Sequence, residues 1–502
     1  MSDDLNDMFS NLPANKTTPE DKPSGKKKKK AVSSPAEATK QPKKKKAAAP
    51  AEEQAPQKKV LDFVDSRNLT KQGKASVITQ WEVANRKDTR QNLMTSLMLA
   101  AQEKFGSSSV FGTRDKLDQL VIGIPIPSLP FEFVIANDVF PLQVLIMLAG
   151  TWGSCKSALS YEIFRWFYEN TGIVVHIDSE DKFDAEFACS IMRTENGHLP
   201  IISNQATSLE QAQQLITYYI ETLKAQLIGS KENPGPGARV PCCICLDSVA
   251  GSSSQQTQKK ILEEGFAGKS YPVEALSYSK YLPTIKSTFT NFPFTLLMIN
   301  HQKEKTDDMG NKLSYTLGGG ALNFHESFEL SNSVWKSQFR NSQFEGIGVK
   351  IKCTKNSFGP THRQIKTRFI WWQDKDPDTG ETVQRHLWDW NWAICELLNS
   401  PSDYYKKRLK QHDLVIKCKA PTADIECMAN FPAIGMGKNE YLPFQEVGEL
   451  IHQDEEVCDR IREALIIKRR YVLDKPYDDI VKEHDAKAEK SNGKSKSTKS
   501  AD

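Results

Sequence analysis

A short glycine-rich segment has the residue types and spacing of a phosphate-binding loop. It runs Gly150-Thr-Trp-Gly-Ser-Cys-Lys-Ser157, after an apolar run and before a helical pattern. In this strand–loop–helix context, backbone N–H groups at the start of the helix face the phosphates of a nucleotide. We expect Lys156 to reach the β- and γ-phosphates and the Ser157 hydroxyl to hold Mg²⁺. The predicted nucleotide-binding residues are Gly150, Thr151, Trp152, Gly153, Ser154, Cys155, Lys156, Ser157 and Ala158.

One residue of this loop departs from the usual pattern, in which a glycine precedes the lysine. Here that residue is Cys155. A side chain at this point costs about 1–3 kcal/mol if the backbone takes an unusual conformation, although Gly153 restores some freedom to the loop. Taken alone, the segment leaves a plain glycine-rich turn as the alternative interpretation.

Two acidic residues follow apolar runs that are typical of strands. Asp247 ends the run that begins at Cys242, and Glu180 comes shortly after Ile177. The ends of parallel strands meet at one edge of a sheet, where open α/β folds bind ligands. We therefore predict that Asp247 supports Mg²⁺ and that Glu180 orients the water that attacks a phosphate. For each acid alone, an ordinary polar strand end is the alternative.

These side chains require a sheet with helices on both faces. Apolar strands alternate with amphipathic helices from about residue 117 to residue 373, which predicts an α/β fold with a mostly parallel central sheet. The strand predictions are Val144–Ala149, Ile173–Ile177, Cys242–Leu246, Thr295–Ile299, Gly348–Cys353 and Arg368–Trp372. The helix predictions are Ser157–Tyr168, Ser208–Leu227 and Glu274–Thr290.

The rest of the 502-residue chain divides by composition. Residues 1–58 are rich in Lys, Ala, Pro and Ser, and we predict a disordered tail that either solubilises the protein or binds DNA loosely, with nuclear targeting as a weaker alternative. We also predict a helical segment at residues 59–116, the core at residues 117–373, a small, mostly helical C-terminal domain at residues 374–475, and a flexible polar tail at residues 476–502. A turn at Asp376–Gly380 predicts a hairpin.

Charge and cysteine usage narrow the protein class. The net charge is +4, and residues 1–59 hold 14 Lys against 8 acidic residues, which suggests contact with a polyanion. The apolar run at 140–149 is too short for a membrane span, and it lacks the flanks of a signal peptide, so we expect a protein without a membrane role, kept inside a cell. The densest thiols, at Cys242, Cys243 and Cys245, lack zinc-ligand spacing and are predicted to be buried in a strand.

The order of the polar motifs resembles the RecA recombinase family across about residues 90–372. The motifs are the phosphate loop, Ile-Asp-Ser-Glu180, Leu-Asp247-Ser-Val-Ala, Met-Ile-Asn-His301, Leu317-Gly-Gly-Gly-Ala-Leu-Asn-Phe324 and Lys350-Ile-Lys-Cys-Thr-Lys-Asn356. Two features are similar to the UvsX branch from tailed bacteriophages, namely the residue other than glycine at Cys155 and the Ile-Asn-His sequence.

This resemblance implies ATP and Mg²⁺ as cofactors and a DNA-dependent ATPase. By this resemblance Glu180 is the catalytic glutamate, Asp247 the metal-binding acid, and His301 the residue that senses the γ-phosphate. Lys355 matches a lysine that reaches the γ-phosphate of the neighbouring subunit. RecA has a second lysine two residues on, where this chain has Ser357, and Lys352 is a candidate substitute.

The resemblance also implies two DNA-binding loops, at about residues 251–272 and 303–323. Their glycines allow close approach to phosphates, and their lysines supply positive charge. Tyr271 and Tyr315 either stack on bases or pack in the fold. The predicted DNA-binding residues are Lys259, Lys260, Lys269, Lys303, Lys305, Lys312, Gly318, Gly319 and Gly320.

The implied assembly is a helical filament of copies on single-stranded DNA, which pairs with double-stranded DNA. The segment 59–116, with a helix near residues 90–105, would dock on the next subunit. Further implied partners are a single-strand-binding protein and a loader, in the cytoplasm of a bacterial host if the chain is encoded by a phage. The alternatives are a hexameric helicase-type motor and a recombination mediator that lacks ATPase activity.

A group of tryptophans near the end of the core has two interpretations. Trp388, Trp390 and Trp392 alternate as on one face of a strand, and Trp371 and Trp372 lie nearby. The group is either a hydrophobic platform between the core and the C-terminal domain or a surface for nucleic acid.

Overall fold

The protein was studied as a computed structural model. The structure describes residues 121–194, 199–229, 239–264, 273–289, 292–306, 312–316, 320–340, 343–375, 380–419 and 427–475, with short pieces between 479 and 486. The predictions for residues 1–58 and 59–116 and for most of 476–502 lie outside these residues. The same holds for Lys269, Tyr271, Gly318 and Gly319.

The strands occur throughout the described residues and carry most of the polar motifs at their ends. They are β1 (Ile122–Pro125), β2 (Val139–Pro141), β3 (Val144–Gly150), β4 (Ile173–Asp178), β5 (Ile201–Gln205), β6 (Cys242–Asp247), β7 (Phe294–Thr306), β8 (Lys312–Thr316), β9 (Phe328–Arg340), β10 (Glu345–Asn356), β11 (Gln364–Lys375), β12 (Thr382–Trp388), β13 (Lys417–Lys419), β14 (Met428–Asn430), β15 (Leu442–Pro443) and β16 (Tyr471–Val472).

The helices separate the parallel strands and fill the C-terminal part. They are α1 (Leu129–Ile135), α2 (Lys156–Glu169), α3 (Ala185–Met192), α4 (Leu209–Ile228), α5 (Gln255–Glu264), α6 (Val273–Thr288), α7 (Gly320–His325), α8 (Trp390–Asn399), α9 (Asp403–Gln411), α10 (Phe444–Gln453) and α11 (Glu455–Ala464), with a 3₁₀ turn at Pro432–Ile434.

One large sheet dominates the described residues, and its order is β12-β11-β10-β9-β3-β7-β6-β4-β5, with β8 paired to β7. The sheet has a parallel part made of β9, β3, β7, β6, β4 and β5. Strands β10, β11 and β12 continue it from β9 in antiparallel pairs, and β8 pairs antiparallel with β7. Every residue of β3 is buried, as in a strand covered on both faces. The predicted α/β fold with a mostly parallel sheet is confirmed.

Two hydrophobic clusters cover the two faces of this sheet. One contains Phe164 and Trp166 of α2, and it continues into the C-terminal helices. The other contains Ile216 of α4 and Leu282 of α6. The side chains of Cys242, Cys243 and Cys245 are buried in β6, which confirms the prediction for these thiols.

The six predicted strands and three predicted helices are all present, with ends that shift by a few residues. Strands β11 and β12 pair antiparallel, as the predicted hairpin requires, and most of the turn itself lies outside the described residues. The predicted boundary near residue 373 stays a prediction, since side chains from both sides of it share one hydrophobic cluster. No helix in the described part of the chain is long and apolar enough to cross a bilayer.

The prediction that Trp388, Trp390 and Trp392 alternate along a strand is wrong. Trp388 ends β12, and α8 begins at Trp390. The helix begins there because the carboxylate of Asp389 accepts a hydrogen bond from the backbone N–H of Trp392 at 2.9 Å, as an N-cap residue does. All three rings are buried, so they form the hydrophobic platform rather than a surface for nucleic acid.

Candidate functional site

The phosphate loop joins the end of β3 to the start of α2. Gly150 aligns with His301 on β7 and with Asn332 on β9. A side chain at Gly150 would place its Cβ 2.5 Å from the main-chain oxygen of Asn332, so this position requires glycine. The loop then closes through the Ser154 hydroxyl, which donates to the oxygen of Thr151 at 2.7 Å.

Cys155 and Gly153 both take left-handed backbone conformations. The φ angle of Cys155 is 59° and that of Gly153 is 71°. The left-handed region costs a non-glycine residue roughly 1–2 kcal/mol, which explains why glycine usually precedes the lysine of this motif. The strain expected at Cys155 is therefore present. Trp152, beside these residues, is 90% exposed.

Lys156 is buried at the first turn of α2. Its Nζ donates to the main-chain oxygens of Gly150 at 3.2 Å and Thr151 at 2.9 Å. Burial lowers the pKa of this lysine, and the charges of Asp247 and Glu180 act in the opposite direction. An anion close to this ammonium group would be favoured, because the present acceptors are uncharged carbonyls of its own loop.

Ser157 and Asp247 come together although they lie far apart in the sequence. The Ser157 hydroxyl donates to Asp247 Oδ2 at 2.8 Å. The pKa of Asp247 is raised to about 6, chiefly by burial and also by the nearby carboxylates of Glu180 and Asp178, against the hydrogen bond from Ser157. A hydroxyl oxygen beside clustered carboxylates suits a hard divalent cation, so these residues fit Mg²⁺.

Glu180 lies beside this pair and is held by three donors. Its Oε1 accepts hydrogen bonds from the Ser248 hydroxyl and from His301, whose Nε2 is 3.1 Å away. Its Oε2 accepts from Lys182 Nζ at 2.9 Å. Burial acts to raise the pKa of Glu180, but the bonds from Ser248, Lys182 and His301 together outweigh it and lower the pKa to about 2. Glu180 is therefore ionised across the physiological range.

Asp178, the last residue of β4, fixes the turn that carries Glu180. Its Oδ1 accepts from the backbone N–H of Glu180 at 2.8 Å. Its Oδ2 accepts from the backbone N–H groups of Lys182 at 2.8 Å and Phe183 at 2.9 Å. This carboxylate wraps the turn around itself and directs the following side chains toward the end of β6.

The sequence analysis missed several residues of this site. Ser248 and Lys182 contact Glu180 directly. Ser179 ties the two strand ends together, because its hydroxyl donates to the oxygen of Ser248 at 2.7 Å. The serines flank predicted acids and were readable as strand-end polar residues, whereas no local signal marks Lys182.

Lys355 lies away from the phosphate loop of its own chain. It pairs with Glu329 on β9, which aligns with Met147, upstream of Gly150. Its Nζ donates to the main-chain oxygens of Asn323 and Phe324 at the end of α7. Its predicted contact with the γ-phosphate of a neighbouring copy stays a prediction.

Two further residues bear on the second lysine that RecA has two positions after the one that Lys355 matches. Ser357, in the place of a second lysine, follows β10 and is exposed. Lys352, the candidate substitute, lies on β10 opposite Ser331 and Gln364. Lys352 is therefore placed on the sheet itself rather than at the end of the strand.

The first predicted DNA-binding loop is not a flexible loop throughout. Residues Gln255–Glu264 form α5, which leaves Lys259 and Lys260 exposed. The helix begins because the Ser254 hydroxyl accepts from the backbone N–H of Thr257 at 3.1 Å. Ser254, within the predicted loop, therefore acts as a helix cap.

The second predicted DNA-binding loop is largely a hairpin. Strand β7 continues to Thr306 and pairs with β8, so that Lys303 lies opposite Tyr315 and Lys305 opposite Leu313. Lys312 begins β8, and Gly320 begins α7. Backbone pairing therefore gives the described residues of this loop regular strand structure.

Comparison with known proteins places the site within one family. A model of the RecA N-terminal domain family matches residues 92–374, more than half of the chain. Protein RecA of Mycoplasma mobile is 22% identical over 276 residues, which cover 55% of this chain and 76% of the relative. Protein RecA of Ureaplasma parvum is 24% identical over 271 residues, with 54% and 73% covered. Protein RecA of Helicobacter hepaticus is 25% identical over 281 residues, with 56% and 74% covered. The chain belongs to the RecA N-terminal domain family.

Proposed function

We propose that this protein is an ATP-dependent DNA recombinase. It forms a filament on single-stranded DNA and pairs that strand with homologous duplex DNA in recombination and repair. Family membership supports this function, and the arrangement at the sheet edge carries it. There the Ser157 hydroxyl lies 2.8 Å from Asp247, and Glu180 lies 3.1 Å from His301.

In the proposed reaction, ATP and water give ADP and phosphate. Lys156 binds the β- and γ-phosphates, and Ser157 and Asp247 hold Mg²⁺, which would neutralise phosphate charge. Glu180 orients a water molecule whose oxygen attacks the γ-phosphorus. The bond from the γ-phosphorus to the bridging oxygen of ADP breaks. One proton of the water stays on the phosphate product, and the other is released to solvent. His301, bonded to Glu180, detects whether the γ-phosphate is present.

Assembly makes each nucleotide a link between copies. Lys355 of one copy binds the γ-phosphate held by the next, and this use is consistent with its place away from its own phosphate loop. The segment 59–116 docks on the adjacent copy. Head-to-tail contacts that do not close a ring give a helical filament.

DNA binding in this proposal belongs to α5, the β7–β8 hairpin and the glycines before α7. Lys259 and Lys260 are exposed on α5, as phosphate contacts require. Lys303, Lys305 and Lys312 lie on the hairpin strands, and Lys269 and Gly318–Gly320 complete the set.

The phage UvsX branch is a finer part of the proposal. It rests on Cys155 before the phosphate-loop lysine and on His301. In that case the protein acts in the cytoplasm of a bacterial host, with a single-strand-binding protein and a loader as partners.

Phosphate release measured with and without single-stranded DNA tests this function. We expect single-stranded DNA to stimulate release and electron microscopy to show filaments under the same conditions. Closed rings would favour the helicase-type motor instead. Filaments without phosphate release would favour an ATPase-deficient mediator, an alternative supported by the strained Cys155 and by Ser357.

A further inference from the structure

Lys182 lies at the edge of the nucleotide site and was not predicted from the sequence. Its backbone N–H donates to Asp178 Oδ2 at 2.8 Å, which fixes its main chain. Its side chain is 73% exposed and reaches back to Glu180. Its pKa is raised chiefly by the hydrogen bond to Glu180, and the charges of Asp247 and Asp178 also raise it. The ammonium group is therefore within the field of the acids at the strand ends.

The contact of Lys182 obstructs the chemistry proposed for Glu180. Oε1 of Glu180 is already occupied by Ser248 and His301. Oε2 is bonded to Lys182 Nζ at 2.9 Å. These three donors occupy three of the roughly four lone-pair positions of the carboxylate. An attacking water must therefore share Oε2 with Lys182, and the departure of Lys182 would leave Oε2 to the water alone. Ser248, just after β6, is buried, and His301 on β7 is half-buried, whereas Lys182 has a long, exposed side chain.

Lys182 is also the donor that can leave most easily. Exposed ion pairs are weak, because water screens the two charges and the long side chain loses freedom in the contact. A γ-phosphate carries more negative charge than a single carboxylate and offers several acceptor oxygens. The ammonium group has only to swing from one anion to the other on a main chain that Asp178 holds in place.

We infer that Lys182 exchanges Glu180 for the γ-phosphate when ATP binds, and so makes the site prefer ATP over ADP. In the resting chain Lys182 covers Glu180 Oε2. When the triphosphate is present, Lys182 binds a γ-phosphate oxygen and uncovers Oε2 for the water. ADP has no γ-phosphate, so it leaves Lys182 on Glu180. This inference rests on the proposed function, because it assumes that the loop at Gly150–Ser157 binds ATP.

The test is the ratio of two affinities, measured without turnover. Calorimetric titration of the full-length protein with the non-hydrolysable analogue AMP-PNP and with ADP, both with Mg²⁺, gives the two dissociation constants. For Lys182→Met we expect affinity for AMP-PNP to fall at least about tenfold, the loss of one hydrogen bond to a charged group. Affinity for ADP should change less than about twofold by the same reasoning. Lys182→Arg should keep most of the preference, and Lys407→Met, an exposed lysine on α9, should match the wild type.

A second variant tests the exchange itself. Glu180→Gln removes the resting partner of Lys182, so affinity for AMP-PNP should rise relative to ADP. That rise should be absent when Lys182→Met is combined with it. Affinities for AMP-PNP and ADP that are unchanged, or equally reduced, in Lys182→Met would overturn the inference. In that case, nucleotide binding by the wild type that is lost in Lys156→Ala would leave the proposed function standing. A wild-type protein that binds neither nucleotide would overturn both.

Discussion

The hydroxyl of Ser157 and the carboxylate of Asp247 meet at 2.8 Å across the ends of β3 and β6, with β7 between these strands. This contact joins the two halves of the proposed metal site. Burial and the neighbouring acids raise the pKa of Asp247, which means that its negative charge is poorly balanced until a cation is present. The first prediction follows from that charge.

Asp247→Asn should weaken the effect of Mg²⁺ on the protein. The amide removes the negative charge that a divalent cation needs, although it keeps the size of the side chain. We expect the wild type with AMP-PNP to gain thermal stability as Mg²⁺ is added, and the variant to gain much less. Asp403→Asn on α9 is the matched control. Equal gains in the wild type and Asp247→Asn would contradict the assignment.

Cys155→Gly should stabilise the protein. Glycine adopts the left-handed conformation found at this position without the cost that Cys155 bears, while it adds freedom to the unfolded chain. We expect a net gain of about 0.5–1 kcal/mol in the free energy of unfolding, measured in urea. Cys155→Ala keeps the left-handed strain and should show no such gain. A gain of the same size in both variants would point to the thiol rather than to the backbone.

Glu326 should make the protein less stable as the pH rises. This carboxyl is 2% exposed, and neither side-chain oxygen has a hydrogen-bond partner among the described residues. Burial raises its pKa, the charge of Glu329 adds to this, and Lys355 opposes it. The folded chain therefore keeps a proton that the unfolded chain releases above the ordinary value of 4.5, so stability is lost as the pH rises beyond it.

Glu326→Gln should remove this part of the pH dependence. At pH 8 we expect the variant to be more stable than the wild type by about 1–3 kcal/mol, because the amide has no proton to lose and so avoids the cost of ionising a buried carboxyl. Unfolding in urea at pH 5 and pH 8 provides the measurement, with the exposed Glu186→Gln as control. Parallel pH profiles for wild type and Glu326→Gln would refute the explanation.

Removal of residues 1–58 should reduce the salt dependence of DNA binding. These residues are rich in lysine, and each phosphate contact that is lost lowers the slope of log affinity against log salt by about 0.9 on duplex DNA. Fluorescence anisotropy at several salt concentrations gives the slope. An unchanged slope would leave the segment as a solubilising tail.

The sequence was most informative where a strand is covered on both faces. The runs that became β3, β4 and β6 are apolar apart from His176, so their ends, and the acids at or after those ends, could be placed on one sheet edge. Strand β9 was missed, although Glu329, Ser331 and other polar groups alternate with its first apolar residues, as in a half-buried strand.

Other features depend on contacts that local patterns do not contain. The helix at Trp390 followed from capping by Asp389, a signal that was present but outweighed by the alternating tryptophans. The β7–β8 hairpin depends on pairing of polar, lysine-containing sequence that has little strand character. Lys182 reaches Glu180 only because Asp178 folds the turn between them, and three separate backbone bonds produce that turn.

Phosphate release by wild type and Glu180→Gln, each with ATP, Mg²⁺ and single-stranded DNA, tests the central claim most directly. The amide keeps the shape of the side chain but loses the charge that Ser248 and His301 hold in place. We expect the variant to retain DNA binding and to lose nearly all turnover, by about a hundredfold or more, as for other groups that position the reacting water. Equal rates of phosphate release in the two proteins would contradict the assignment of Glu180 and the ATPase site built around it.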